Sequence, residues 1–206
     1  MNEKLIWDKL IQHFSPSGTA GLMGNLYAES ALNSQNLQNS FEKKLGYSDE
    51  TYTRAVDNGT YQNFVTDCAG YGLAQWTYSL RKKSLLNYAK SVGKSIGDAE
   101  MQIDFLLKEL EKDFPRLHFC LQTATDVRTA SDIVMTQFEN PADQSETAKA
   151  KRAKFSQNFY DKYANAAPEL TAPDLSEVHF NTVTAIGSGT VTLNGKNYAV
   201  TLTALD

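Results

Sequence analysis

Glu29 is the residue of this chain best placed to do acid chemistry. It follows the apolar run LMGNLYA, where Ala20, Met23, Leu26 and Tyr27 recur at helical spacing. A carboxyl at the end of such a buried helix meets core on one side and a loop-built cleft on the other, and the desolvation favours its neutral form. A neutral carboxyl can protonate a leaving oxygen near neutral pH. A helix-terminal glutamate without chemistry has the same local sequence, so spacing alone does not make Glu29 catalytic. A second carboxylate, needed if water is to be activated, is sought first at Asp67. It stands three residues before the run GYGLAQWT at 70–77, and Asp57, Asp49 and Glu42 share its region.

Other chemistries find weaker footing. Cys68 would need a neighbouring imidazole to act as a thiolate nucleophile, from His13, His118 or His179, and no cysteine-peptidase motif accompanies it. The three histidines and two cysteines show no ligand spacing, so no metal and no cofactor are expected. Cys68 and Cys120 are read as free thiols.

The elements that would position these groups are mainly helical. Ile6, Leu10 and Phe14 line one face over residues 3–14, a turn is expected at 15–18, and the helix carrying Glu29 follows. Residues 33–70 read as irregular, with short strands at most. Helices return at 80–92, from an Asp98 cap towards Pro115, at 126–138 and at 146–164. The stretch NAAPELTAPDL at 165–175 has the composition of a linker or strap. Beyond it, Asn194-Gly195 suits a two-residue turn between alternating strands, and predicts a β-hairpin within 176–206.

Bulk composition narrows the class. With 206 residues, 41% of them hydrophobic, the chain can bury one good core. Its 20 basic and 24 acidic residues, a formal net charge of -4, provide no basic face for nucleic acid. The amino terminus lacks a basic n-region and a small-residue cleavage site, so it is not read as a signal peptide. No window approaches about eighteen consecutive apolar residues, and no membrane span is expected.

Two runs taken together, GLMGNLYAESAL at 21–32 and GYGLAQWT at 70–77, resemble the phage tail lysozyme family, itself similar to goose-type lysozymes and soluble lytic transglycosylases. In those relatives a helix ends in Glu-Ser and a Gly-Leu-x-Gln element lies across the cleft; here the matching residues are Glu29-Ser30 and Gly72-Leu73-Ala74-Gln75. Arg81 after the second run, and FENP at 138–141 before an Ala- and Arg-rich helix, extend the resemblance over roughly 3–164. It implies a mainly α, lysozyme-like catalytic domain at 1–164 with an irregular or short-strand cleft segment, then the strap and hairpin.

The same resemblance implies muramidase-type hydrolysis of the MurNAc-GlcNAc bond of bacterial peptidoglycan, with Glu29 as general acid. Gln75 becomes a candidate for hydrogen-bonding the sugar N-acetyl group or backbone. Tyr71 and Trp76 either stack on sugar rings or fill the core, and Ser30 is a cap or hydrogen-bond partner. Glu139, before Pro141, reads as a cap or a buried salt bridge rather than a catalyst. If no second carboxylate is placed, the muramyl 6-hydroxyl attacks C1 instead, as in a lytic transglycosylase forming 1,6-anhydro products. A reading from another class is a wall-binding or tail-structural module without turnover. The setting implied is a virion tail or the cell wall, within a larger phage tail or mobile-element protein.

Overall fold

The computed structural model describes residues 3–164, 188–193 and 196–201. The chain divides into two compact units, Met1–Ala167 and Pro168–Asp206. In the first unit, α1 (Glu3–Leu10) buries Ile6, Trp7 and Leu10, and Phe14 reaches the same core from the turn that follows. Helix α2 (Pro16–Ser30) begins earlier than its apolar stripe suggests. The Ser15 side chain accepts from Gly18 N, and Pro16 occupies the first helical position, where its missing N–H costs nothing. The expected turn at 15–18 is therefore the opening of α2.

Helix α2 runs through the middle of the unit, with Leu22, Met23 and Leu26 wholly buried. Gly21 and Gly24 let other helices approach it. A methyl at Gly21 would lie 2.7 Å from Ala130 Cβ, and one at Gly24 would lie 2.5 Å from Ser156 N.

The stretch 33–70, expected to be irregular, contains two short helices, α3 (Asn39–Leu45) and α4 (Asp49–Asp57). Helix α4 opens with a capping box in which Ser48 accepts from Thr51 N and Thr51 answers Ser48 N. Helix α3 buries none of its residues, which is why no apolar period announces it. In this segment and the run after it, the described β structure is a pair of isolated bridges, Leu37 to Tyr71 and Tyr71 to Trp76.

Next come α5 (Ser79–Ser91) and α6 (Ala99–Asp113), the latter capped by Asp98, whose side chain accepts from Met101 N. Pro115 ends α6 as expected, and it also starts α7 (Pro115–Thr123), a helix absent from the sequence-based expectations. Helix α8 (Val127–Val134), capped by Asp126, passes into a π turn at Met135–Glu139. Helix α9 (Glu146–Phe159) is capped by Ser145 and ends in a second π turn, Tyr160–Ala164. The unit is mainly helical, as expected of a lysozyme-like domain.

In the second unit, β1 (Ser188–Leu193) pairs antiparallel with β2 (Lys196–Thr201), Leu193 standing opposite Lys196. The expected turn at Asn194-Gly195 and the strap at 165–175 lie outside the described residues.

Candidate active site

The last turn of α2 delivers Glu29 to the wall of a cleft of about 600 Å³. Tyr27, Gln38, Gln75, Tyr78, Arg81 and Glu139 are among its other lining residues. The Glu29 side chain is 21% exposed, and Arg152 Nη2, from α9, donates to its Oε1 at 2.6 Å. Arg152 Nη1 donates to Asn25 Oδ1 at 3.2 Å, one turn back along α2. The guanidinium thus fixes the carboxylate against its own helix, a charge-assisted geometry stronger than a neutral hydrogen bond.

Ser30 is a brace rather than a reactant. Its hydroxyl lies 3.0 Å from Leu26 O and 2.9 Å from Leu73 O, tying the end of α2 to the Gly72-Leu73-Ala74-Gln75 loop opposite. That loop is held in turn by Gln102 of α6, a buried amide. Its Oε1 accepts from Leu73 N at 2.9 Å, and its Nε2 donates to Ser34 O at 2.7 Å and Ile96 O at 2.6 Å. Gly72 has φ +74, and a Cβ there would sit 2.6 Å from Gln102 Oε1, so the turn and the close approach both require glycine. Gln75 lies on the cleft wall with its Nε2 donating to Asn36 Oδ1 at 2.9 Å and Gly72 O at 3.1 Å.

The two aromatic residues proposed for sugar stacking do not reach the cleft. Tyr71 and Trp76 are both 0% exposed. The Tyr71 hydroxyl shares a hydrogen bond with Thr53 at 2.6 Å, and Trp76 Nε1 donates to Glu109 Oε2 at 3.0 Å. Their rings fill the core because the bridge between them folds the loop inward. The exposed ring on the cleft wall belongs to Tyr78, 76% exposed just before α5, beside the half-buried Tyr27. Lying one residue past the quoted run and outside any apolar stripe, it could have been found only as an exposed aromatic beside a cleft motif.

Asp67 is likewise corrected. Its side chain is 2% exposed and saturated by partners away from the cleft. Lys82 Nζ lies 2.6 Å from Oδ1, Ala69 N donates to Oδ1 at 3.0 Å, and the hydroxyls of Tyr52 and Tyr61 donate to Oδ2. Lys82 is itself fully buried, 4.4 Å over the Phe64 ring, with Ala69 O as a further acceptor at 2.8 Å. Burial pushes the Lys82 ammonium below its ordinary value, while burial and then Asp67 hold the Tyr61 phenol up at about 12. This network anchors the loop ahead of Gly70-Tyr71-Gly72 to α4 and α5. Of the other acids considered, Asp49 holds Leu37 N at 2.8 Å and Asp57 holds Ile96 N at 2.9 Å. Neither lines the cleft, and nor does Glu42.

The cleft does contain a second carboxyl, Glu139, at the end of the π turn. By sequence it reads as a cap or a salt-bridge partner. Instead its Oε1 is buried without a hydrogen-bond partner. Burial first, and the charge of Glu29 second, raise its carboxyl well above the usual carboxylate range. Nearby, Arg81 grips Glu109 through Nε and Nη2 at 2.7 and 2.9 Å while lying 4.7 Å over the Phe138 ring.

Cys68 is exposed, with Thr66 O at 3.7 Å from its sulfur. His13 and His118 instead flank Phe14, at ring separations of 6.4 and 5.2 Å, and His179 lies outside the described residues. Both cysteines are free. Among the described residues no group of His, Cys, Asp or Glu is arranged to hold a metal ion, and no helix is long and apolar enough to cross a membrane.

A family model described as phage tail lysozyme matches residues 1–163, a span that contains every cleft residue named above. No curated protein matches the chain.

Proposed function

The chain belongs to the phage tail lysozyme family, and from that premise we propose that it cleaves the glycan strands of bacterial peptidoglycan by muramidase-type hydrolysis, with Glu29 as general acid. The observation that carries the reading is the position of Glu29: a partly buried carboxyl at a helix end, in a cleft of about 600 Å³, opposite a loop braced to the same helix by Ser30. Such a cleft accommodates a few sugar rings, with Tyr78 as stacking surface and Gln75 and Gln38 as hydrogen-bonding groups. Protonation of the glycosidic oxygen by Glu29 would let the C1–O bond break with oxocarbenium character at C1. The setting that follows from the family is a virion tail or related wall-penetrating protein, acting on the cell wall.

A second reading has its own support. With Asp67 occupied elsewhere, the described carboxyls lining the cleft are Glu29 and Glu139. A reaction needing no separate base, attack by the muramyl 6-hydroxyl with Glu29 as acid and then base, suits that inventory.

Mass spectrometry of soluble products from purified peptidoglycan, treated with the wild-type chain and with Glu29→Gln, tests both. Fragments from wild type alone are expected. Hydrated reducing ends identify hydrolysis and 1,6-anhydro ends identify transglycosylation. Fragments from Glu29→Gln at the wild-type rate would remove Glu29 from the mechanism, and binding to sacculi without fragments from either protein would make the chain a wall-binding module.

A further inference from the structure

The cleft holds one carboxyl more than it has cations to match. Four charged groups face Glu139, each from a different helix: Glu29 on α2, Arg81 on α5, Glu109 on α6 and Arg152 on α9. The two guanidiniums are already committed. Arg81 forks onto Glu109 at 2.7 and 2.9 Å, and Arg152 gives Nη2 to Glu29 at 2.6 Å and Nη1 to Asn25 at 3.2 Å. Glu139 is left in the same cleft as Glu29 with a buried, unpartnered oxygen and no ion pair of its own. An unpaired carboxylate in that position is expensive, and two carboxylates in one partly dry cleft cannot both ionise cheaply.

We propose that Glu29 and Glu139 work as one carboxyl pair that holds a single proton through the neutral pH range, Glu139 acting as the positioning residue that keeps this proton available to Glu29. The inference rests on the reading of Glu29 as the acid. At rest the proton sits on Glu139 and Glu29 keeps its ion pair with Arg152. In turnover the pair's proton goes to the glycosidic oxygen, the C1–O bond breaks, and its electron pair stays with the leaving oxygen. The incoming oxygen, from water or from the muramyl 6-hydroxyl, forms the new bond to C1 and returns its proton to the pair. The pair is singly protonated before and after, so the cycle closes without another reactant. The upward displacement of the Glu139 carboxyl agrees with this geometry, and the titration belongs to the pair rather than to either residue.

Glu139→Gln keeps the size of the side chain and removes its charge. In kcat measured against pH on soluble glycan fragments, the alkaline limb should move to lower pH by about one unit, so that turnover at neutral pH falls about tenfold while approaching wild type in acid. A purely structural role for Glu139 would lower kcat equally at every pH, and an unshifted limb overturns the proposal. Should the variant fail to fold, carboxyl-carbon NMR of the labelled wild-type protein decides instead. One of the two carboxyls should still carry its proton at neutral pH, and loss of both protons before neutrality would refute the pair. The NMR titration needs no substrate, so a wild-type protein that released no fragments would sink the functional reading and leave the pair to be judged on its own.

Discussion

Replacing Gly24 with alanine tests whether the packing of α2 against α9 also sets the geometry of Glu29. A methyl at Gly24 would lie 2.1 Å from Ser156 Oγ, 2.5 Å from Ser156 N and 2.7 Å from Ser156 Cα. Two of these three atoms are backbone, so no rotamer change clears them, and regaining a 3.4 Å separation requires α9 to retreat by about 0.9 Å at Ser156 N. Overpacking of this kind costs about 1–3 kcal/mol, and the better helix propensity of alanine returns about 1 kcal/mol. Because the clash is with backbone, the upper half of that range applies, for a net loss of about 1–2 kcal/mol. In a chain of this size that lowers Tm by about 2–8 °C. Arg152 lies one turn before Ser156 on the same helix and reaches Glu29 at 2.6 Å, so the retreat should also cut turnover by about 10- to 100-fold. Thermal unfolding followed by circular dichroism, and fragment release measured well below both transitions, read the two effects separately. Adding Ser156→Gly should rescue only part of the loss, since it removes the hydroxyl but leaves the backbone atoms of residue 156 in the way. A Tm at or above wild type would refute the close-packing argument; a lowered Tm with unchanged turnover would refute the coupling to Arg152.

Two further perturbations probe other parts of the site. Tyr78→Ala removes an exposed ring from the cleft wall; KM should rise about 3- to 10-fold with kcat and Tm nearly unchanged, and an unchanged KM would mean that the ring does not touch the glycan. Lys82→Met leaves the Asp67 carboxylate buried without its cation, which should cost about 3–5 kcal/mol, while adding Asp67→Asn should recover part of it. Chemical denaturation of the single and double variants measures the coupling, and a single variant as stable as wild type would show that the buried carboxylate does not depend on its cation.

What the sequence made legible follows the physics of each signal. Local chemistry was readable where a short-range pattern decides the outcome. Asp98 does cap a helix, Pro115 does stop one, and the Ala20, Met23 and Leu26 stripe does bury its helix. It failed where the deciding interaction is distant in sequence. Helices α3 and α7 bury few residues, so apolar periodicity hardly marks them. Tyr71 and Trp76 look alike as core or as sugar platforms until the bridge between them turns both rings inward. Asp67 was a sound candidate by spacing alone, and it is Lys82 and Tyr52, each 15 residues away, that help hold it out of the cleft.

The same limit explains why Glu139 was underrated, and why it matters. A glutamate before Asn140-Pro141 reads as a cap or as one half of a buried salt bridge. Which carboxylate each arginine takes depends on how α5 meets α6 and α9 meets α2, and those contacts pair Arg81 with Glu109 and Arg152 with Glu29. Glu109 also accepts from Trp76, the ring that anchors the cleft loop to the core, so Arg81 cannot turn towards Glu139 without abandoning that junction. Arg152 is tied in the same way through Asn25 to the middle of α2. The surplus carboxyl is therefore built in by structural pairs, and a proton is the cheapest way for the cleft to balance its charge. In a reaction that begins by giving a proton to an oxygen, a carboxyl that burial and then the charge of Glu29 hold above the usual carboxylate range keeps that reagent at hand.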